Sequence, residues 1–248
     1  VKDLLVVVPS RGRPDNIARL MAAMAETCRG DTTLVVGLDS DDPKLKQYPG
    51  MVQHLPDLIP DGYVVPGCGE PAATWEYELR SRLRHVVPWM NALVMSRLDS
   101  FRYVGTMGDD NVPLTAGWDV AMMAALQRTP FAFGNDLYKR TPGTLPCHIF
   151  TRSEVVRALG YLGFPQLQHM WVDVAWLRWG QECGITYKHD VIIDHVHYST
   201  GRAPLDATYM ASDQCMRSDQ AVYAAYCEPG GGLDEDIKKI KSAVEESK

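Results

Sequence analysis

Long apolar runs are missing from this chain. None approaches the roughly 18 residues of a membrane-spanning helix, and Val1-Lys-Asp-Leu-Leu-Val-Val-Val8 has neither the length nor the flanks of a secretory signal. A cytoplasmic protein is the expectation. Paired cysteines are missing too: Cys28, Cys68, Cys147, Cys183, Cys215 and Cys227 show no Cys-x-x-Cys spacing. They read as reduced thiols rather than as a zinc knuckle or a disulfide frame. There is no excess of positive charge, since 25 Lys and Arg face 31 Asp and Glu for a net −6. That argues against a mainly electrostatic nucleic-acid binder and leaves room for a local basic groove. Internal repeats and low-complexity tracts are absent as well. What is present is an ordinary globular composition: 248 residues, 46% hydrophobic and 23% charged, enough for one α/β domain with a full core or at most two small ones.

Along the chain strands and helices alternate. Leu4-Leu-Val-Val-Val8 is a continuous apolar run, as expected of a strand covered on both faces, and it stops at Pro9-Ser-Arg-Gly-Arg-Pro14. Ile17, Leu20, Met21, Met24 and Cys28 then recur at helical spacing, with Pro14 suited to a first turn and Gly30 to a helix end. Leu34 to Leu38 is a second buried strand ending in Asp39-Ser-Asp-Asp-Pro43. Two such units point to a mainly parallel sheet whose functional edge lies at the strand carboxyl ends. Further on, the pattern predicts a short strand at Tyr63 to Val65, a helix from Ala72 to Leu98 bent at Pro88, and a strand at Tyr103 to Met107. Helices follow at Trp118 to Leu126, Ser153 to Leu159 and Val172 to Trp179. Short apolar stretches lie at Phe131 to Phe133 and His148 to Phe150, and a late strand at Thr186 to His197. After Gly230-Gly-Gly232 a charged helix with Leu233, Ile237, Ile240 and Val244 on one stripe reads as a docking helix.

The most informative stretch is Phe101-Arg-Tyr-Val-Gly-Thr-Met-Gly-Asp-Asp-Asn111, a strand that delivers two adjacent carboxylates to its carboxyl end. Like charges repel, so Asp109 and Asp110 in a constricted site are easiest to explain with a cation or sugar hydroxyl between them. Gly108 to Pro113 also has turn composition, and a solvated turn is the competing account.

Val7-Val-Pro-Ser-Arg-Gly-Arg-Pro, Gly37-Leu-Asp39 and Met107-Gly-Asp-Asp-Asn, in that order over roughly residues 4 to 125, resemble the nucleotide-sugar half of a GT-A glycosyltransferase of the family 2 type. His195-Val-His197 with Gly201 and Asp206 is similar to short glycosyltransferases encoded by bacteriophages. The resemblance implies one GT-A domain over 1–248, with a nucleotide-sugar half at about 1–125, an acceptor half at about 126–229 and the docking helix at 230–248. It implies metal-dependent transfer, with inversion, from a nucleoside-diphosphate sugar, UDP first among them. The acceptor would be a hydroxyl, with a hydroxymethylated pyrimidine in DNA suggested by the phage likeness and a polysaccharide or small molecule left open.

Site roles follow from the resemblance residue by residue. Asp110 would coordinate Mn²⁺ or Mg²⁺, and Asp109 would face the ribose. His195 or His197 would complete the metal set and tip it toward Mn²⁺; two ordinary strand histidines are the competing account. Pro9 and Ser10 would shape the first loop, and Arg11 and Arg13 would contact the diphosphate or base. Asp39 would accept from the base, and Asn91 would help hold the nucleotide. Asp173 would be the general base, although Val172-Asp173 stands where the family carries Glu-Asp, and a helix-start acid settled by the macrodipole is the other account. Arg80, Arg82, Arg84, Arg97, Lys139, Arg140 and Arg152 could touch a DNA backbone. Trp171, Trp176 and Trp179 could stack on a ring, the last two reading better as core. Two other classes stand beside the transferase. One is a nucleotidyltransferase, whose Gly-rich loop and Lys this chain lacks after its first strand; the other is a non-catalytic nucleotide-sugar binding module.

Overall fold

The computed structural model describes residues 1–51, 63–66, 73–81, 83, 85–138 and 145–246. At its centre lies β1 (Lys2–Ser10), in which Leu4, Leu5, Val6, Val7 and Val8 are all fully buried. Alternate side chains go to opposite faces of a strand. Leu4, Val6 and Val8 accordingly join α1 (Pro14–Thr27) and α3 (Trp118–Leu126) in one core. Leu5 and Val7 join α2 (Val86–Met95), α4 (Ser153–Leu159), α5 (Val172–Cys183) and α8 (Leu233–Glu246) in the other. Burial on both sides is why the run carries no polar alternation.

The remaining strands are β2 (Thr32–Asp39), β3 (Tyr63–Pro66), β4 (Ala73–Arg80), β5 (Phe101–Thr106), β6 (Asn111–Pro113), β7 (Phe131–Asn135), β8 (Ile149–Arg152) and β9 (Ile185–His195). Among the described residues the nine lie in the order β3-β4-β2-β1-β5-β8-β7-β9-β6. The block β4-β2-β1-β5 is parallel throughout. Beyond β5 the pairing turns antiparallel at β8, β7 and β6, with β7 and β9 parallel. The sheet is therefore mixed, its parallel block made by the first half of the chain. That block brings the carboxyl ends of β1, β2 and β5 to one edge.

The helix expected from Ala72 to Leu98 is corrected. Its first part is β4, paired along its length with β2 from Thr32↔Ala73 to Asp39↔Arg80, and helix begins only at Val86. Ala73, Tyr77 and Leu79 fall on one face and join the first core, a period of two that the aromatic and β-branched content of Thr74, Trp75 and Tyr77 supports. Pro88 consequently sits in the first turn of α2, where a missing N–H costs nothing, and bends no helix. The late strand ends at His195, two residues short of the expected His197. Asn111–Pro113, read as turn, pairs with β9. Two helices that the pattern did not predict, α6 (Ala207–Gln214) and α7 (Met216–Cys227), follow it.

Close approach needs glycine at Gly37, where an added Cβ would stand 2.5 Å from the Trp89 ring. That absence lets α2 lie flat on β2. At the opposite edge, Asp119 of α3 is fully buried and accepts from the backbone N–H groups of Arg29 and Gly30 and from the Thr32 hydroxyl. Asp119→Asn would turn one acceptor into a donor facing donors. It should cost about 1–2 kcal/mol, lowering the melting temperature of a chain this long by about 2–8 °C in a calorimetric scan. No described helix is long and apolar enough to cross a membrane. Among the described residues, Cys28, Cys147, Cys183, Cys215 and Cys227 form no disulfide, whereas Cys68 lies outside them.

Candidate metal and nucleotide-sugar site

Asp109 and Asp110 leave the end of β5 into a tight turn. An added Cβ on Gly108 would stand 2.5 Å from Asp110 Oδ1, so glycine is what allows that carboxylate to fold back. Both acids are buried, each only 5% exposed, which removes the solvated turn as their explanation. Ser10 at the end of β1 donates its hydroxyl to Asp109 Oδ2 at 2.7 Å, and Arg13 donates to Asp109 Oδ1 at 3.0 Å. Asp110 Oδ2 accepts from the Tyr209 hydroxyl at 2.8 Å, while Oδ1 lies 3.3 Å from His195 Nε2.

The electrostatics separate the two neighbours. Burial pushes Asp109 upward against the pull of Arg13, and the adjacent Asp110 charge pushes the same way. Burial also acts to raise Asp110, but His195, the Tyr209 hydroxyl and Arg13 outweigh it and hold that carboxyl well below the usual range. His195 behaves reciprocally. Burial alone would lower it, yet Asp110 and then Asp136 raise it. His197 is pushed down to about 4 by burial and by the nearby His195. The surroundings thus favour the ionised form of Asp110 more strongly than that of Asp109.

A divalent cation fits this place. Asp110, His195 and His197 can each offer one ligand atom, and these atoms all lie within 4.8 Å of one another. Neighbouring ligands of an octahedral ion with bonds of about 2.1 Å stand about 3 Å apart, near the observed 3.3 Å between Asp110 Oδ1 and His195 Nε2. His197 Nδ1 lies 2.9 Å from Ser199 Oγ. Nδ1 also accepts from the Ser199 backbone N–H at 3.2 Å, so the lone pair of this ring faces Ser199 and a cation must compete with that contact for it. One carboxylate with two imidazoles is an oxygen and nitrogen set, which suits Mn²⁺ better than Mg²⁺.

The other residues singled out from the sequence occupy different places. Pro9 is buried in β1 opposite Gly37. Arg11 bonds Asp39 at 3.1 Å and Asp41 at 2.6 Å. Asp39 is buried and also accepts from Trp89 Nε1 at 3.1 Å, so it braces α2 and the first loop. Arg13, expected in an open loop, is instead buried. Asn91 bonds the backbone of Leu162 and Gly163 and ties α2 to that loop. Asp173 is the second residue of α5 and accepts from the Val174 N–H. Trp176 and Trp179 lie in the core, their N–H groups on the Leu162 carbonyl and the Tyr226 hydroxyl, and Trp171 stacks on Tyr223. Of the basic residues suggested for DNA, Arg80 pairs with Glu78, Arg97 with Glu76 and Glu78, and Arg152 with Glu154. Arg82, Arg84, Lys139 and Arg140 lie outside the described residues.

Two site residues had no assigned role in the sequence. Asp206 caps α6 and receives a two-pronged contact from Arg13, at 2.8 Å from Nε and 2.7 Å from the terminal nitrogen. Tyr209, one turn on, lies under the Arg13 guanidinium, 3.8 Å from ring centre to Cζ. Asp206 stood in the stretch that resembles phage glycosyltransferases, without a role; for Tyr209 the only signal was the Asp-Ala-Thr-Tyr spacing of a helix start, too common to single out. Arg13 therefore joins the β1 loop, the acid pair and α6. Truncating one partner of a buried ion pair typically costs 3–5 kcal/mol, and the half-exposed Asp206 arm contributes little. Arg13→Met should cost about 3 kcal/mol and lower the melting temperature by about 6–12 °C. Adding Asp109→Asn should restore part of the loss, because no uncompensated buried charge is then left.

No family model matches the sequence, and a search of curated proteins returns no match. Solved structures do match. The mannosyltransferase PcManGT from Pyrobaculum calidifontis, in complex with GDP-Man and Mn²⁺, superposes with a TM-score of 0.56 at 11% identity, over 100% of this chain and 77% of that one. Residues 1–349 of S. aureus TarS, in complex with UDP-GlcNAc, match with a TM-score of 0.53 at 10% identity, over 97% and 72%. The chain has the GT-A fold. At these identities the likeness concerns architecture, and within that architecture the acid pair ends the strand β5 beside the central β1.

Proposed function

We propose that this chain is a divalent-metal-dependent glycosyltransferase, moving a sugar from a nucleoside-diphosphate sugar to a hydroxyl acceptor. The observation that carries the reading is the buried Asp110 set against His195 and His197, beside Asp109, at the strand ends of a GT-A sheet. That two structures of this fold hold GDP-Man with Mn²⁺ and UDP-GlcNAc supports the donor class. Mn²⁺, when bound by Asp110, His195 and His197, supplies positive charge to the departing diphosphate.

The chain's own residues do the rest. Ser10 and Arg13 fix Asp109 beside Asp110, so the first loop is built before the donor arrives. Arg11, partly exposed beside Asp39 and Asp41, is the cation of that loop with room to turn toward a phosphate or base. Asp173 is assigned the acceptor proton. In support, α5 follows a loop whose backbone N–H groups at Gln168, His169 and Met170 are all held by Asp219. His169 on that loop is close enough to Asp110 and Arg13 for both to act on its protonation.

The three described arginines suggested for DNA are paired internally, so the acceptor is proposed only as a hydroxyl compound. The test is nucleoside-diphosphate release from a panel of UDP- and GDP-sugars with Mn²⁺. Acceptors would include saccharides and hydroxymethylpyrimidine DNA, with products read by mass. Acceptor-stimulated release that EDTA abolishes is expected. Tight donor binding with no release for any acceptor would favour a binding module.

A further inference from the structure

On the other side of His195 lies a group of donors that the proposed transfer does not use. Asp136 follows β7, Cys147 precedes β8, and His195 ends β9, so three neighbouring strands of the sheet carry them. Their potential ligand atoms lie within 4.8 Å of one another. The backbone ties two of them, since the His195 N–H donates to the Asp136 carbonyl at 2.9 Å.

A second, independent observation marks the same place. Among the described residues, six buried side-chain polar atoms have no hydrogen-bond partner, among them His195 Nδ1 on the group itself, His148 Nδ1 on the residue after Cys147, and Asn111 Nδ2. Asn111 stands opposite His195 in the β6–β9 register. His148, fully buried, follows Cys147 and takes the Gly134 N–H on its Nε2 at 2.9 Å, beside β7. The unpartnered Nδ1 of His195, on the side of the ring away from the Asp110 contact at Nε2, is an open position for a cation.

We propose that Asp136, Cys147 and His195 form a second cation site, one that takes Zn²⁺. The donor types decide the metal. A thiolate with an imidazole and a carboxylate selects a softer ion than the oxygen-rich Asp110 set does. Three protein ligands leave the fourth tetrahedral position for water. In such a site donor atoms stand about 3.3–3.8 Å apart, so the group needs only a small contraction from its present span. Binding takes the Cys147 sulfur as thiolate, its proton passing to solvent. His195 belongs to both groups of donors, which makes the two sites neighbours through one ring.

The test uses the full chain stripped of metal and titrated with Co²⁺ as the spectroscopic probe, then with Zn²⁺. A near-ultraviolet thiolate-to-cobalt charge-transfer band saturating at one equivalent and displaced by Zn²⁺ is expected. It should vanish in Cys147→Ser, need at least about tenfold more Co²⁺ in Asp136→Asn, and persist in His197→Ala, which touches only the Asp110 set. Since Cys147→Ser could disturb folding, alkylation of the parent protein provides a second readout. Zn²⁺ should slow modification of Cys147 while the exposed Cys227 reacts at an unchanged rate. Absence of the band, its survival in Cys147→Ser, or no protection of Cys147 overturns the proposal. None of these outcomes depends on sugar-nucleotide binding.

Discussion

Asp110→Asn should abolish Mn²⁺ binding and reduce transfer by at least about 10³-fold, a loss of the size seen when a group stabilising transition-state charge is removed. The substitution removes one charge at constant volume. Asp110 is the acid whose ionised form the site favours most, because His195, Tyr209 and Arg13 all stabilise it. Asparagine leaves the Tyr209 contact possible, and His195 can shed its proton once the carboxylate is gone, so the protein should remain folded although the lost attraction lowers its melting temperature. Electron paramagnetic resonance of free Mn²⁺ and a steady-state assay check the two parts. Full activity in Asp110→Asn, or in the parent with EDTA, would contradict metal dependence.

Asp173→Asn should lower turnover by about 10²- to 10⁴-fold, the usual cost of losing a general base. Donor affinity should hardly change, because Asp173 is assigned to the acceptor side. A kcat loss with an unchanged donor KM is the signature of a group acting only in the transition state. A helix-start acid that merely settles α5 would move the melting temperature and leave kcat alone. Product stereochemistry is the independent check. Inversion at the anomeric carbon agrees with a base on the face opposite the diphosphate; retention would remove Asp173 from that role.

What could be read from the sequence follows from how local its cause is. The βα units at the start, the acid pair ending β5 and helices such as Trp118–Leu126 and Ser153–Leu159 are set by runs of a few residues, and those readings agree with the structure. β4 was misread because its Ala, Glu, Leu and Arg residues favour helix, while its strand state depends on pairing with β2, some forty residues earlier. The site divides along the same line. Asp109 and Asp110 announce themselves by strand-end position, whereas Ser10, read as shaping the first loop, is the last residue of β1. Arg13 reads from sequence as a loop cation, and only its partner Asp206, 193 residues away, makes it a buried brace. Asn91 and Asp39, read from the sequence as ligand contacts, also bond Gly163 and Trp89, links that no local pattern announces. Tyr209 was invisible for the same reason: its contact with Asp110 spans 99 residues.

The account's central claim is that Asp110, His195 and His197 hold a cation against a nucleoside-diphosphate sugar, and isothermal titration of UDP- and GDP-sugars into the purified chain tests it most directly. The account predicts saturable binding of at least one donor with Mn²⁺ present, weakened at least about tenfold in EDTA and equally weakened in Asp110→Asn. Failure of every such donor to bind up to about 1 mM, the upper end of ordinary substrate affinities, or binding indifferent to both metal and Asp110, would contradict it.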